Sequence, residues 1–280
     1  MFPIILTIIT LLSSIIYNNM IRFSASIITF NAGSTLERCL DSLEGIVDEI
    51  VVVDSYSTDN TEEICEKFGA VFIQNEFTGF KDQRNFALQF VSCQYALTLD
   101  ADEVLSGELR ESLLKVKENP EADVYFINRL NNFCGQWIRH SGMYPDKHIR
   151  LYNIGMGEWG PYNVHENFMP VPGAKIGYLK GDILHYACNT VKEYTDRVDA
   201  YTERYAREYH KNGKKVSFLA PALHGAWRFF RNYILRMGFL DGKNGFIVCG
   251  IGAKSSYRKY KRLRQLNREN RVKRKSGNKG

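Results

Sequence analysis

The six cysteines form no C-x-x-C pair and no Cys/His cluster with the spacing of a zinc site, so the sequence suggests neither a disulfide framework nor a zinc centre. A reducing compartment fits that usage best. No G-x-G-x-x-G follows the first β-rich run and no G-x-x-x-x-G-K-S/T occurs anywhere, which withdraws support from dinucleotide and Walker-type phosphate binding. An apolar run of roughly 20 residues, the length a bilayer span needs, is missing as well. The leading MFPIILTIITLLSSIIY is almost wholly apolar but short, with no basic n-region and no A-x-A cleavage site. It reads as an interfacial or short membrane anchor, as the product of a mis-set start that belongs at Met20, or as a signal peptide. No internal repeat is visible.

What is present is a globular composition. At 280 residues, 44% hydrophobic and 24% charged, the chain is large enough to bury one substantial core, or one core and a small lobe. Its net charge of +6 is unevenly spread: from Lys254 to Gly280, twelve Lys/Arg accompany the single acid Glu269, so this tail carries +11 and residues 1–253 carry −5. Such a tail suits the anionic face of a membrane, a nucleic acid, or plain solvation. The chain divides by composition into a leader (1–20), an α/β body (21–215), an amphipathic membrane-associating segment (216–252) and a basic tail expected to be disordered (253–280).

Short β-rich runs alternate with helical patterns between residues 23 and 129, the signature of an α/β sheet. Strands are expected at Phe23–Phe30, Glu49–Asp54, Ala70–Gln74, Tyr95–Leu99 and Asp123–Arg129. Ser34-Thr35-Leu36-Glu37 has the form of a capping box, Gly69 closes the next helix, and Ser106 with Glu108 starts another. Residues 131–188, rich in Gly, Pro, Trp, Tyr, His and Asn, read as loop-rich, site-building sequence. Phe218–Ile251 places Trp227, Phe229, Phe230, Tyr233, Leu235 and Phe239 among Arg228, Arg231 and Arg236, which fits a surface lying on a membrane or a core helix with snorkelling arginines.

The tetrad Asp100-Ala101-Asp102-Glu103 follows the apolar run Tyr95–Leu99 directly. Carboxylates two apart at a strand end can converge on a hard divalent cation whose open positions phosphate oxygens fill. An acidic turn capping the next helix is the competing explanation. Thr29/Asn31, Asp54 and Asp100/Asp102 all fall at strand ends, where ligands of open α/β sheets sit, so these groups are expected to face one crevice. With no glycine cradle, such a crevice would hold phosphate through a metal.

Four segments in order, Ser26-Ile27-Ile28-Thr29-Phe30-Asn31-Ala32, Val51 through Thr61, Arg84-Asn85-Phe86-Ala87 and Leu97 through Glu103, resemble the GT-A nucleotide-diphospho-sugar domain of family-2 glycosyltransferases. Trp137-Ile138-Arg139-His140, Tyr144-Pro145-Asp146, Arg150-Leu151, Val164-His165-Glu166 and Leu184-His185-Tyr186 are similar to the bacterial subgroup that includes lipopolysaccharide-core β-1,4-glucosyltransferases. The resemblance implies an α/β fold of the GT-A, Rossmann-like type with a loop-rich acceptor region and C-terminal helices. It implies a metal-dependent inverting transfer of a hexose, glucose from UDP-glucose, onto a lipid-linked or lipopolysaccharide-core saccharide. Mn²⁺ or Mg²⁺ would be the cofactor and the inner face of the cytoplasmic membrane the location, with an anionic membrane surface and no nucleic acid as partner.

Residue by residue, it puts Asp54 on the nucleotide base, and Thr29, Asn31 and Glu37 along the nucleotide pocket. Lys81 and Arg84 fall on the diphosphate or on the closing of the motif, Asp100 on the ribose or the metal, and Asp102 on the metal. His185 approaches that metal from the second lobe. Glu166 is the expected catalytic base, with Asp146 and Glu103 in reserve and His165 beside donor or acceptor. Trp137, Trp159 and Tyr162 are candidates for stacking on sugar rings. A D-x-D phosphatase and a non-catalytic membrane-associated scaffold are the rival classes.

Overall fold

The computed structural model describes residues 20–160 and 167–277, with side chains described as far as residue 270. The expected leader therefore lies outside the described residues, as do His165, Glu166 and Tyr162. By packing the chain forms two compact units, one from the chain up to Arg129 with Asp146–His185, the other from Leu130–Pro145 with Tyr186–Gly280. The composition boundary at 215 falls elsewhere, because a division by local character does not register which segments pack together.

The first unit begins as expected. Strand β1 (Phe23–Thr29) leads to helix α1 (Leu36–Asp41), β2 (Glu49–Asp54), α2 (Thr61–Lys67), β3 (Val71–Gln74), α3 (Phe80–Ala87) and β4 (Tyr95–Asp100). Strands β1, β2 and β4 are buried on both faces, which is why they read as nearly unbroken apolar runs. Ile27, Val52, Leu97 and Leu99 anchor one core with Leu36, Leu40, Leu109 and Leu113. Each such side chain contributes about 1.5–3 kcal/mol by leaving water. After β4 come β5 (Glu103–Leu105), α4 (Gly107–Glu118), β6 (Val124–Phe133), β7 (Gln136–Trp137), β8 (Lys147–Asn153), β9 (Gly157–Gly160), β10 (Asn167–Pro170) and β11 (Ile176–Cys188).

The main sheet has the order β3-β2-β1-β4-β8-β6-β11-β5, with β7 paired to β6, and β9 and β10 form a separate two-stranded ribbon. The pairs β3-β2, β2-β1 and β1-β4 are parallel, whereas β8 meets both β4 and β6 antiparallel, and β11 meets β5 the same way. Residues 131–188, expected to be loop-rich, thus hold six strands or parts of them among the described residues. Asn131, Asn132, Gly157, Gly160, Gly177 and Gly181 lie within these strands, which therefore carry few of the long apolar runs that mark β1, β2 and β4.

The second unit packs Phe133, Ile138, Cys188 and Val248 together and contains α5 (Val191–Lys211), α6 (Ala220–Phe230) and α7 (Gly242–Gly277). Helix α7 departs from the disordered tail that charge alone implied. Ser256, Tyr260 and Leu263 recur at helical spacing and are buried. Arg258 and Arg262 meet Asp199 and Glu203 of α5, so opposite charge on a neighbouring helix compensates part of the basic run.

Candidate functional site

Parallel pairing aligns Thr29 with Asp54 and Ile28 with Asp100, so the ends of β1, β2 and β4 lie side by side as expected. Beyond β1 and β2 the loops are stitched together. Asp54 is fully buried; its Oδ1 accepts from Thr29 Oγ1 at 2.9 Å and Ser57 Oγ at 2.5 Å, and its Oδ2 from Ser57 N at 2.7 Å. Asn31, in the left-handed region with φ 49°, accepts Thr58 N on its Oδ1 at 2.9 Å and donates its own N–H to Ser57 Oγ at 2.7 Å. Gly33 N and Ala32 N donate to Asp59 Oδ2 and Thr61 Oγ1. Asp54 thus holds the loop from beneath rather than offering both oxygens to a base, a change from the expected direct contact. What this frame exposes is aromatic: Phe30 and Tyr56 are 64% and 56% exposed. Neither was singled out from sequence, although an aromatic next to each polar strand end was a visible signal.

Glu37 leaves the expected pocket. Its carboxylate pairs with Lys67 at the surface, and the capping box does not form, because helix α1 starts at Thr35, whose hydroxyl donates to Ala32 O. Lys81 lies half-buried in the first turn of α3. On the same helix, Gln83 Nε2 donates to Ser55 Oγ at 3.2 Å, and Asn85 clamps the main chain of Trp159 through Nδ2 and Oδ1 at 2.9 and 3.0 Å. Trp159 is buried against Tyr152 and Phe168, which removes it from the sugar-stacking candidates. Trp137 packs edge-on against Tyr186.

The tetrad forms the turn from β4 to β5. Ser106 caps α4 by accepting Leu109 N, so neither Asp100 nor Asp102 is engaged in capping. Asp100 Oδ1 accepts from Arg84 Nη2 at 2.6 Å, while Oδ2 lies 3.5 Å from Arg150 Nη2. Burial works against the charge on Asp100, but Arg84 and then Arg150 outweigh it and hold the carboxyl well below the usual carboxylate range. With a guanidinium on each oxygen, Asp100 is a poor candidate for a metal ligand or a phosphatase nucleophile.

Arg150 Nη2 also donates to Glu103 Oε1 at 2.8 Å, Glu103 Oε2 accepts Asp100 N at 2.9 Å, and Glu103 is completely buried. Burial pushes its carboxyl up, against Arg150 and with help from Asp100. It is therefore neither a ligand nor a base open to solvent. Arg129 extends the ladder, 3.8 Å from Glu103 and bonded to Asp146 Oδ2 through Nε and Nη2 at 3.1 and 2.9 Å. His148 Nε2 occupies the other Asp146 oxygen at 2.9 Å. Although burial raises Asp146, His148 and then Arg129 prevail and bring it to about 2. So weak a base, with both oxygens engaged, is unsuited to abstracting a proton at neutral pH, which removes Asp146 from the catalytic candidates.

Asp102 is different. Antiparallel pairing sets His185 of β11 opposite Glu103, and its Nε2 lies 3.3 Å from Asp102 Oδ2. Among the described residues no three His, Cys, Asp or Glu side chains converge into a cage of their own. A cation at Asp102 and His185 would therefore take its further ligands from beyond the described side chains, as a phosphate-bridged ion does. Carboxylate and imidazole together fit a divalent ion of the Mn²⁺ type. Under the turn, Cys39 is kept as a thiol, first by burial and then by the carboxylates of Glu103, Asp102 and Asp100.

Residues 24–169, more than half of the chain, match the family described as glycosyl transferase family 2. The chain belongs to this family. As a family-2 enzyme it is a nucleotide-sugar-dependent glycosyltransferase, and several relatives span most of its length. It is 29% identical over 264 residues to an uncharacterised glycosyltransferase of Rickettsia typhi, covering 89% of each chain. It is 27% identical over 252 residues to the lipopolysaccharide core biosynthesis glycosyltransferase LpsC of Rhizobium meliloti, covering 85% of this chain and 92% of that one. Among solved structures, the mannosyltransferase PcManGT of Pyrobaculum calidifontis, in complex with GDP-mannose and Mn²⁺, superposes with a TM-score of 0.50 at 15% identity, over 84% of this chain and 74% of that one. The shared fold is the GT-A fold.

Proposed function

We propose that this family-2 enzyme moves a hexose, glucose from UDP-glucose, with inversion onto a lipopolysaccharide-core or other lipid-linked saccharide at the inner face of the cytoplasmic membrane. The observation that carries the donor half is Asp102 with His185 at 3.3 Å, placed beside the aligned ends of β1, β2 and β4. Similarity to LpsC across most of both chains supports the acceptor class.

In this reading Asp102 and His185 hold a divalent cation, Mn²⁺ or Mg²⁺, which when bound neutralises charge growing on the departing diphosphate. Asp100, fixed in its rotamer by Arg84 and Arg150, keeps an acceptor edge for the ribose hydroxyls. Thr29, Asn31 and Asp54 shape the base end, where Phe30 and Tyr56 offer flat faces to the ring. Lys81 offers its ammonium to the diphosphate. Arg84 acts through Asp100 rather than on the donor.

Glu166 remains the proposed base, taking the proton of the acceptor hydroxyl as it attacks the anomeric carbon opposite the leaving group, with His165 as its neighbour. Screening nucleotide-sugars by thermal shift with and without Mn²⁺ tests the donor. UDP-glucose is expected to stabilise the protein by several degrees only with the ion present, since a ligand at 100 times its Kd contributes about 2.7 kcal/mol. A panel in which no UDP-sugar shifts the transition would overturn the assignment. Glu166→Gln is expected to keep the donor shift and lose transfer.

A further inference from the structure

Helix α6 and the turn of π-helix after it, Arg231–Leu235, display an apolar stripe that none of the described residues covers. Leu219, Leu223, Trp227, Phe230 and Ile234 follow at steps of four, four, three and four, one face of a helix, yet each is between 46% and 64% exposed. Four further large apolar side chains stay exposed between Leu235 and Leu240. Alongside lies an open, almost wholly apolar groove of about 470 Å³, walled by Ala222, Ala226, Ala253 and Tyr257 with Lys254 at its rim. A stripe this long on a soluble monomer is out of proportion to ordinary surface exposure.

Charge indicates the occupant. From Gly213 to the C-terminus the sequence carries 18 Lys/Arg against two acids, Asp241 and Glu269. Asp241 is buried and receives hydrogen bonds from Arg139 N, His140 N and Ser141 Oγ, so it does not offset the basic surface; Asp199 and Glu203 of α5 meet Arg258 and Arg262, which still leaves a large positive excess. Arg231 and Arg236 interleave with the stripe, whereas Arg228 turns toward α7, its Nε buried beside Gly252. Among the described residues no helix is long and apolar enough to cross a membrane. An apolar face of this kind, flanked by cations and too short to span, matches the plane between headgroups and acyl chains of an anionic bilayer.

We propose that α6 and the segment through Leu240 form an in-plane membrane anchor, with Leu223, Trp227 and Ile234 inserted among acyl chains and the flanking arginines on lipid phosphates. This deepens the proposed function by naming how the enzyme meets a membrane-borne acceptor, and rests on that reading for its purpose only. The full chain is mixed with vesicles of phosphatidylcholine alone or of equal parts phosphatidylcholine and phosphatidylglycerol. Sedimentation is expected with the anionic vesicles, and brominated lipid is expected to quench tryptophan emission. Leu223→Glu with Ile234→Glu should reduce the bound fraction about tenfold or more. Trp227→Phe should keep binding and lose most of the quenching.

Unchanged binding by the double variant, or binding abolished by salt with no quenching, would overturn the proposal. So would self-association without lipid that the double variant abolishes, because a second copy would then be the occupant. UDP-glucose thermal shift on the same samples separates the two ideas. Vesicle binding without a donor shift sinks the donor assignment and leaves the anchor standing, and the reverse result sinks the anchor alone.

Discussion

Arg150 stands where three carboxylates and three guanidinium groups alternate, from Arg84 through Asp100, Arg150, Glu103 and Arg129 to Asp146. Removing one partner of a buried ion pair leaves its neighbour uncompensated and typically costs about 3–5 kcal/mol. Arg150→Met is therefore expected to lower stability by that order in chemical denaturation, far more than Arg207→Met at the surface of α5. A small effect would mean that the ladder is not electrostatically coupled. Asp146 gives the ladder a pH signature. Its folded pKa, about 2, lies below the ordinary value of roughly 3.9, so the stability it contributes is complete above pH 4 and is lost as pH falls toward 2. Asp146→Asn is expected to be less stable than wild type at pH 6, with the gap closing near pH 2. A gap that persists there would contradict the assignment. At this scale the acids were legible in sequence and their partners were not: Arg150 lies 47 residues from Glu103, and only the sheet brings them together.

The elements that position the site repeat that division. β1, β2 and β4 were legible because a strand buried on both faces must be apolar along its length, and their polar last residues stood out against it. β11 was not, since a half-exposed strand of 13 residues containing two glycines lacks that contrast. Yet β11 carries His185 to Asp102 through its register with β5. Gly181 makes this possible. It has φ +87°, and a Cβ there would come within 2.2 Å of Leu109 N at the start of α4. Because backbone cannot step aside cheaply, Gly181→Ala should cost about 2–3 kcal/mol or more and weaken Mn²⁺ binding through displaced His185. Denaturation together with a metal titration checks both. Loss of stability with unaltered metal affinity would show that β11 does not set the site. The capping box at Ser34 failed for the converse reason, a local rule displaced by Thr35 bonding to Ala32 O.

For the whole molecule, family membership makes the chain a nucleotide-sugar glycosyltransferase, and we propose that Asp102 and His185 hold the ion that carries the donor diphosphate. Net charge alone hid the second unit, where acids of α5 meet bases of α7 and where an apolar stripe remains uncovered. The most direct test is titration of Mn²⁺, followed by electron paramagnetic resonance, into the full chain with UDP present. Wild type is expected to bind one ion, and Asp102→Asn and His185→Ala each to weaken it, the former by about a hundredfold. UDP-dependent Mn²⁺ binding that is unchanged in Asp102→Asn would contradict the account.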